Sequence, residues 1–246
     1  MEAEHILNQL NDPQKEAVTH QGGSTLVVAG AGSGKTRVLV HRIAWLIAVE
    51  SINPHAILAA TFTNKAASEM KGRIDQMLQT PTQGMWVGTF HGLAHKFLRL
   101  HWQEAGLQQD FQILDSDDQY RHIRRLLKNL NLDETYYPPK EIQWFINNQK
   151  DLGLRFNNIK KDPTKTKHIE IYQAYEQSCE QSGFVDFGEL LFRSFETLKK
   201  NTALLDHYHN RFKHVLVDEF QDTNEIQYQW VKLISGAETS TFIVGD

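Results

Sequence analysis

The chain has 246 residues (28.4 kDa), 40% of them hydrophobic and 23% charged, which suits one large domain or two modest ones and excludes a disordered tail or a collagen-like chain. Its single cysteine, Cys179, excludes an intramolecular disulfide and a cysteine-based zinc cluster, and suits a reducing cytosol. With 26 basic and 30 acidic residues the formal charge is −4, which on its face argues against a nucleic-acid partner.

The opening MEAEHILNQLNDPQ carries early acids and no apolar stretch of the secretory type, so no signal peptide is expected. No apolar run approaches the roughly 20 residues that span a bilayer, so the expectation is a cytoplasmic protein with no membrane partner. Asp12-Pro13 predicts a helix start, with a capping carboxylate and proline at the first helical position. Thr25–Ala29 predicts a short apolar strand running into a glycine-rich turn, and Arg37–Ala48 repeats apolar residues at helical spacing. His55–Phe62 is continuous in Ala, Ile and Leu, as expected of a parallel strand buried on both faces. Asn64 is expected to cap a helix over 65–78, and a third strand is expected over Met85–Gly88. Strand, turn and helix repeated in this way mean βαβ units and an α/β fold with a parallel sheet.

From Phe90 to Arg211 strand signals nearly vanish. Helical stretches at Asp117–Leu130, Lys140–Lys150 and His168–Gln181 are separated by Pro138-Pro139, Gly153 and Pro163. Strands return at Lys213–Asp218 and Thr241–Gly245. The expected organisation is a sheet domain over 1–89 and 212–246, interrupted by an all-helical inserted subdomain over 90–211. That insert holds 17 basic and 17 acidic residues, so the remainder carries the whole net charge. Within it, 148–167 holds six basic and two acidic residues, a local stripe suited to phosphates or, more simply, a solvated loop.

Two motifs carry chemistry. Ala29-Gly30-Ala31-Gly32-Ser33-Gly34-Lys35-Thr36 lies between an expected strand and helix. Its glycines let backbone amides converge on phosphate oxygens, and the following helix turns its positive end toward the same charge. Lys35 can bridge outer phosphates and the Thr36 hydroxyl can ligate Mg²⁺. The strict pattern has glycine where Ala29 stands. Downstream, the apolar strand Val215–Val217 delivers Asp218 and Glu219. Asp218 can hold Mg²⁺ and Glu219 can deprotonate an attacking water.

Taken in order, LNDPQKEAV, AGAGSGKTRVLVHRIAWL, TFTNKAASEM, MWVGTFHGLAH, VDFGELL and VDEFQDTN resemble the signature segments of superfamily 1 DNA helicases of the UvrD/Rep/PcrA type, across the whole chain. The resemblance implies a RecA-like P-loop parallel sheet with helices on both faces, carrying the helical insert. It also implies an ATP-driven 3′→5′ DNA helicase acting in DNA repair and replication, with ATP and Mg²⁺ as cofactors. Carried over by position, Gln14 would read the adenine edge, Arg37 and Arg73 would lie near the nucleotide, and Gln221 would join Lys35, Asp218 and Glu219 in the catalytic set. Thr61, Phe62, Thr63 and Asn64, with Thr89, Phe90 and His91, would contact DNA through hydroxyls, amides and a base-stacking aromatic. The implied partners are single-stranded and forked duplex DNA and, for the longer enzyme, other repair proteins.

His91 and His95 stand at zinc-ligand spacing, but no adjacent glutamate or third ligand accompanies them, and a zinc site is not expected. Cys179 shares a helical face with Ile171, Tyr172 and Tyr175 and reads as a packed hydrophobe. The final FIVGD resembles the start of the family's next signature. The expectation is therefore an N-terminal part, truncated within its motor domain and short of efficient ATP turnover. Two other readings are a P-loop phosphotransferase, which would need an acceptor pocket, and a non-catalytic module whose insert recruits protein or duplex DNA.

Overall fold

Alternation, apolar runs and caps settle into strands and helices close to these expectations in a computed structural model, which describes residues 2–30, 32–78, 84–160 and 162–246. The elements in chain order begin with α1 (Glu2–Leu7), α2 (Asp12–Thr19), β1 (Thr25–Val28), α3 (Lys35–Ala48), β2 (Ile57–Thr61), α4 (Asn64–Leu78), β3 (Trp86–Thr89) and α5 (Phe90–Leu100). There follow β4 (Gln112–Leu114), α6 (Ser116–Asn129), α7 (Pro139–Asp151), α8 (Thr166–Ser182), β5 (Phe184–Asp186), α9 (Phe187–Lys200), α10 (Thr202–Arg211), β6 (His214–Val217), α11 (Glu225–Ile234) and β7 (Ser240–Gly245). Among the described residues no helix is long and apolar enough to cross a membrane.

The chain divides into two compact units. The first comprises Met1–Leu93, Asn201–Thr223 and Val231–Asp246. Its sheet runs β1-β7-β6-β2-β3, and every neighbouring pair is parallel. All five residues of β2 are buried, as a strand covered on both faces must be. At the edge, β1 keeps Val27 toward the core and leaves Leu26 and Val28 about two-thirds exposed. Leu39, Ile43, Leu46, Met70, Ile74, Leu216 and Val244 pack into this unit's core. Because the strands are parallel, the loops after all five emerge at one rim, where open α/β sheets bind ligands.

The second unit comprises Ala94–Lys200 and Asn224–Trp230. Its core gathers Ile123, Leu127, Ile142, Ile146, Ile171, Tyr172 and Tyr175 from α6, α7 and α8. Cys179 is buried there, and burial pushes its thiol up to about 12. This region is helical with one difference from the all-helical expectation: β4 and β5 form a parallel ladder pairing Ile113 with Val185. Strands of three residues are too short to leave an alternating pattern in sequence.

An ion cluster lies inside the same unit. Lys150 contacts Asp186 at 2.7 Å and Glu189 at 3.0 Å, while Arg155 pairs with Glu176, Glu189 and Glu196 at 2.5–2.7 Å. Burial alone would raise the Glu189 carboxyl, but Arg155, Lys150 and Arg193 together hold it well below the usual carboxylate range. This corrects the reading of 148–167 as a stripe of six surface cations. Lys150 and Arg155 face inward and are neutralised; Lys160, Lys165 and Lys167 are exposed, and Lys161 lies outside the described residues.

Two caps fall one residue from expectation. Asn11, not Asp12, caps α2: its side chain accepts the Gln14 N–H while the Gln14 side chain accepts the Asn11 N–H, a reciprocal capping box. Likewise Thr63, not Asn64, caps α4 by accepting the Ala66 N–H at 3.1 Å.

Candidate nucleotide-binding site

The loop after β1 reaches α3 through Gly32 (φ +77°) and Gly34 (φ +85°), both in the left-handed region that glycine enters without strain. Gly34 is the N-cap of α3, and no side chain caps that helix. An uncapped helix start leaves N–H groups of its first turn open, which is the chemistry of an anion cradle. The loop is anchored at its base, where Ala29 N–H donates to Gly245 O at 3.0 Å and Ser33 N–H to Gly30 O at 3.2 Å. Ala31 lies outside the described residues.

Lys35 is the first residue of α3 and is 7% exposed. Its ammonium contacts the Asp246 carboxylate and lies 3.8 Å from Glu219 Oε2. Next to it, Thr36 Oγ1 donates to Asp218 Oδ2 at 2.9 Å. Asp218 follows β6 and is 1% exposed; burial raises its carboxyl above the usual range, against the pull of the Thr36 hydrogen bond. A buried carboxylate held next to a hydroxyl is a hard oxygen pair that a magnesium ion would complete together with phosphate oxygens and water. Among the described residues no group of three His, Cys, Asp or Glu side chains could hold a metal without such help.

Glu219 adopts φ +51°, ψ +45°, a left-handed conformation that costs a non-glycine residue on the order of 1–3 kcal/mol and tends to occur at functional sites. Gln221 Nε2 donates to Glu219 Oε2 at 2.7 Å, and Gln221 Oε1 accepts the Asp246 N–H at 3.1 Å. Gln14, residues 32–37, Arg73 and Glu219 line one open cleft. In it Gln14 Nε2 donates to Ser33 O at 2.9 Å. Arg37 donates to Gln9 O at 3.4 Å, and Arg73 lies 4.0 Å from Glu69.

At the same rim, β2 and β3 each end on a threonine-capped helix. Thr63 caps α4, and Thr89 caps α5 by accepting the Gly92 N–H at 3.0 Å. Both hydroxyls keep a proton to donate. Thr63 and Asn64 are exposed, whereas Thr61 is 1% exposed and offers little besides its backbone. Phe62 is half-buried and meets the Phe90 ring edge-on at 5.4 Å. Phe90 itself is 1% exposed, which corrects its placement among base-contacting residues: it is core, and it backs Phe62. Burial lowers the His91 pKa, so its ring is neutral at physiological pH. His95 accepts a hydrogen bond from Arg99 Nε at 3.0 Å. Sequence reasoning missed Asp246 as the partner of Lys35, because nothing local joins residues so far apart in the chain.

The UvrD/REP helicase N-terminal domain model matches residues 10–246. DNA helicase II of Escherichia coli (strain K12) is 54% identical over 248 aligned residues, covering 100% of this chain and 34% of that protein. DNA helicase II of Haemophilus influenzae is 54% identical over 100% of this chain and 35% of its own length. ATP-dependent DNA helicase PcrA of Staphylococcus aureus (strain Mu50) is 36% identical over 98% of this chain and 33% of its own. The chain thus spans about a third of the length of these curated relatives.

Proposed function

Because the chain belongs to the UvrD/REP helicase N-terminal domain family, we propose that it is the N-terminal part of an ATP-driven 3′→5′ DNA helicase, with the sheet unit as a RecA-like motor and the helical unit, expected over 90–211 but comprising Ala94–Lys200 and Asn224–Trp230, as an inserted subdomain. The observation that carries this reading is the convergence of Lys35, Thr36, Asp218 and Glu219 on the cleft after β1. In this role the α3 amides and Lys35 cradle the nucleotide phosphates, and Thr36 and Asp218 hold Mg²⁺. When bound, the metal neutralises charge on the outer phosphates. Glu219 takes the proton of the attacking water. Gln14, Arg37 and Arg73 hold the base and sugar side of the nucleotide.

Single-stranded DNA lies along the rim of β2 and β3. There Thr63, Asn64 and Thr89 offer phosphate contacts, His91 a neutral hydrogen-bonding ring, and Phe62 a stacking face. Forked duplex DNA and repair proteins are partners of the longer, cytoplasmic enzyme. In that enzyme, cations from a second motor domain face the nucleotide, so residues 1–246 alone bind Mg²⁺-ATP with little turnover. Calorimetry tests this reading. The chain should bind Mg²⁺-ATP, and Lys35→Ala should abolish the signal. Turnover by residues 1–246 at roughly 1–1000 per second, or binding untouched by Lys35→Ala, would overturn it.

A further inference from the structure

Gln221 sits two residues past Glu219 with both ends of its amide engaged. We infer that Gln221 is a positioning residue, which fixes the Glu219 carboxylate and registers it against the end of β7 at Asp246. The inference rests on Glu219 being the base of the proposed ATP hydrolysis.

The geometry leaves the amide one orientation. A carboxylate oxygen can only accept and a backbone N–H can only donate, so Nε2 must face Glu219 and Oε1 must face Asp246. Asp246 in turn contacts Lys35, which lies 3.8 Å from Glu219. Lys35, Asp246, Gln221 and Glu219 therefore close a ring of polar contacts beside the phosphate loop. The backbone accommodates this strap. A Cβ on Gly245 would lie 3.0 Å from Gln221 Oε1, so glycine there leaves room for the amide. Glu219 also stands in a left-handed backbone conformation. One donated hydrogen bond to Oε2 selects a rotamer and leaves Oε1 directed elsewhere. Displacing a catalytic group by about 1 Å can cost on the order of 10²-fold in rate.

The two halves of the strap separate by substitution in the longer protein. Gln221→Ala removes both bonds, whereas Gln221→Glu keeps an acceptor for Asp246 and loses the donor to Glu219. With saturating single-stranded DNA, both variants should lower kcat for ATP by about 10–100-fold, with KM within about threefold. Lowering the pH should partly restore Gln221→Glu, because a protonated carboxyl donates again. Hydrogen exchange at the Asp246 amide, measured without nucleotide, should quicken by about tenfold or more in Gln221→Ala and stay near wild type in Gln221→Glu. A kcat within twofold of wild type in both variants, or unchanged Asp246 exchange in Gln221→Ala, would overturn the inference. Glu219→Gln is the control: if it retains turnover, the proposed base is wrong. If it loses turnover while both Gln221 variants keep theirs, only the strap fails.

Discussion

The Thr36 hydroxyl donates a 2.9 Å hydrogen bond to the Asp218 carboxylate, which stands 182 residues later in the chain and is almost fully buried. One hydroxyl and the Glu219 N–H, at 3.1 Å, are modest compensation for a carboxylate whose pKa burial raises. A carboxyl with a raised folded pKa costs stability when pH exceeds that value, and the cost vanishes as it protonates. Asp218→Asn should therefore stabilise the nucleotide-free protein at neutral pH by about 0.5–2 kcal/mol, the scale of other relieved functional strains. Thermal unfolding checks this, and the gain should shrink as pH falls through the carboxylate range. The same variant should lose the Mg²⁺ dependence of ATP binding.

Phe62 and Phe90 touch, yet their truncations should differ in kind. Phe62→Ala removes a half-buried ring and should weaken single-stranded DNA binding by the longer protein by about 1–3 kcal/mol, with little change in salt dependence. Phe90→Ala empties a core position and should cost folding stability of about 3–5 kcal/mol. Fluorescence anisotropy with DNA, paired with denaturant unfolding, reads both. A stable Phe90→Ala with weakened DNA binding would reverse the assignment.

Exposed lysines, rather than the whole 148–167 segment, should set any salt-dependent duplex contact. Each neutralised phosphate contributes about −0.9 to the slope of log K against log salt. Replacing Lys160 and Lys165 with alanine should therefore flatten the fork-binding slope by at most about two. Single-strand affinity should change much less. Equal losses for fork and single strand would mean general attraction without a defined contact.

Arg155 binds three glutamates of the second unit, of which Glu189 is buried and Glu176 and Glu196 are half-buried, so Arg155→Ala should destabilise that unit by at most about 3–5 kcal/mol, the penalty for stranding a buried charge. Because Glu189 titrates below its ordinary value, its contribution is present above the usual carboxylate range and is lost only as pH falls through the depressed value. Near-ultraviolet circular dichroism should show the wild-type unit holding below about pH 4, and the variant failing at higher pH.

Sequence made the phosphate loop, the acidic pair and β2 legible for local reasons: glycines at required turns, and apolar continuity where both faces are covered. It placed the caps of α2 and α4 one residue late, because adjacent Asn, Asp and Thr side chains can all accept a first-turn N–H and only the chain's entry path selects one. Counting charges over 148–167 treated Lys150 and Arg155 as surface groups, since their carboxylate partners at 176–196 come from other elements. Phe90 looked equivalent to Phe62 because both follow a strand. What separates them is depth, which belongs to packing.

The order of strands in the first sheet has a consequence for how the chain reaches this state. β1 leads into the phosphate loop, yet its partner is β7, with Thr25 beside Phe242 and Leu26 beside Ile243. β2 likewise waits for β6, where Ile57 aligns with His214. During synthesis β1 therefore spends the translation of some two hundred residues without that neighbour, the backbone N–H and C=O groups of its ladder edge unpaired. Most of the second unit, by contrast, lies within one continuous stretch, Ala94–Lys200. Loop closure over such separations costs only a logarithmic entropy, but non-local pairing is slow. The helical unit should acquire hydrogen-exchange protection first. The nucleotide cleft should form last, as a late kinetic event exposed to aggregation and dependent on the arrival of β7.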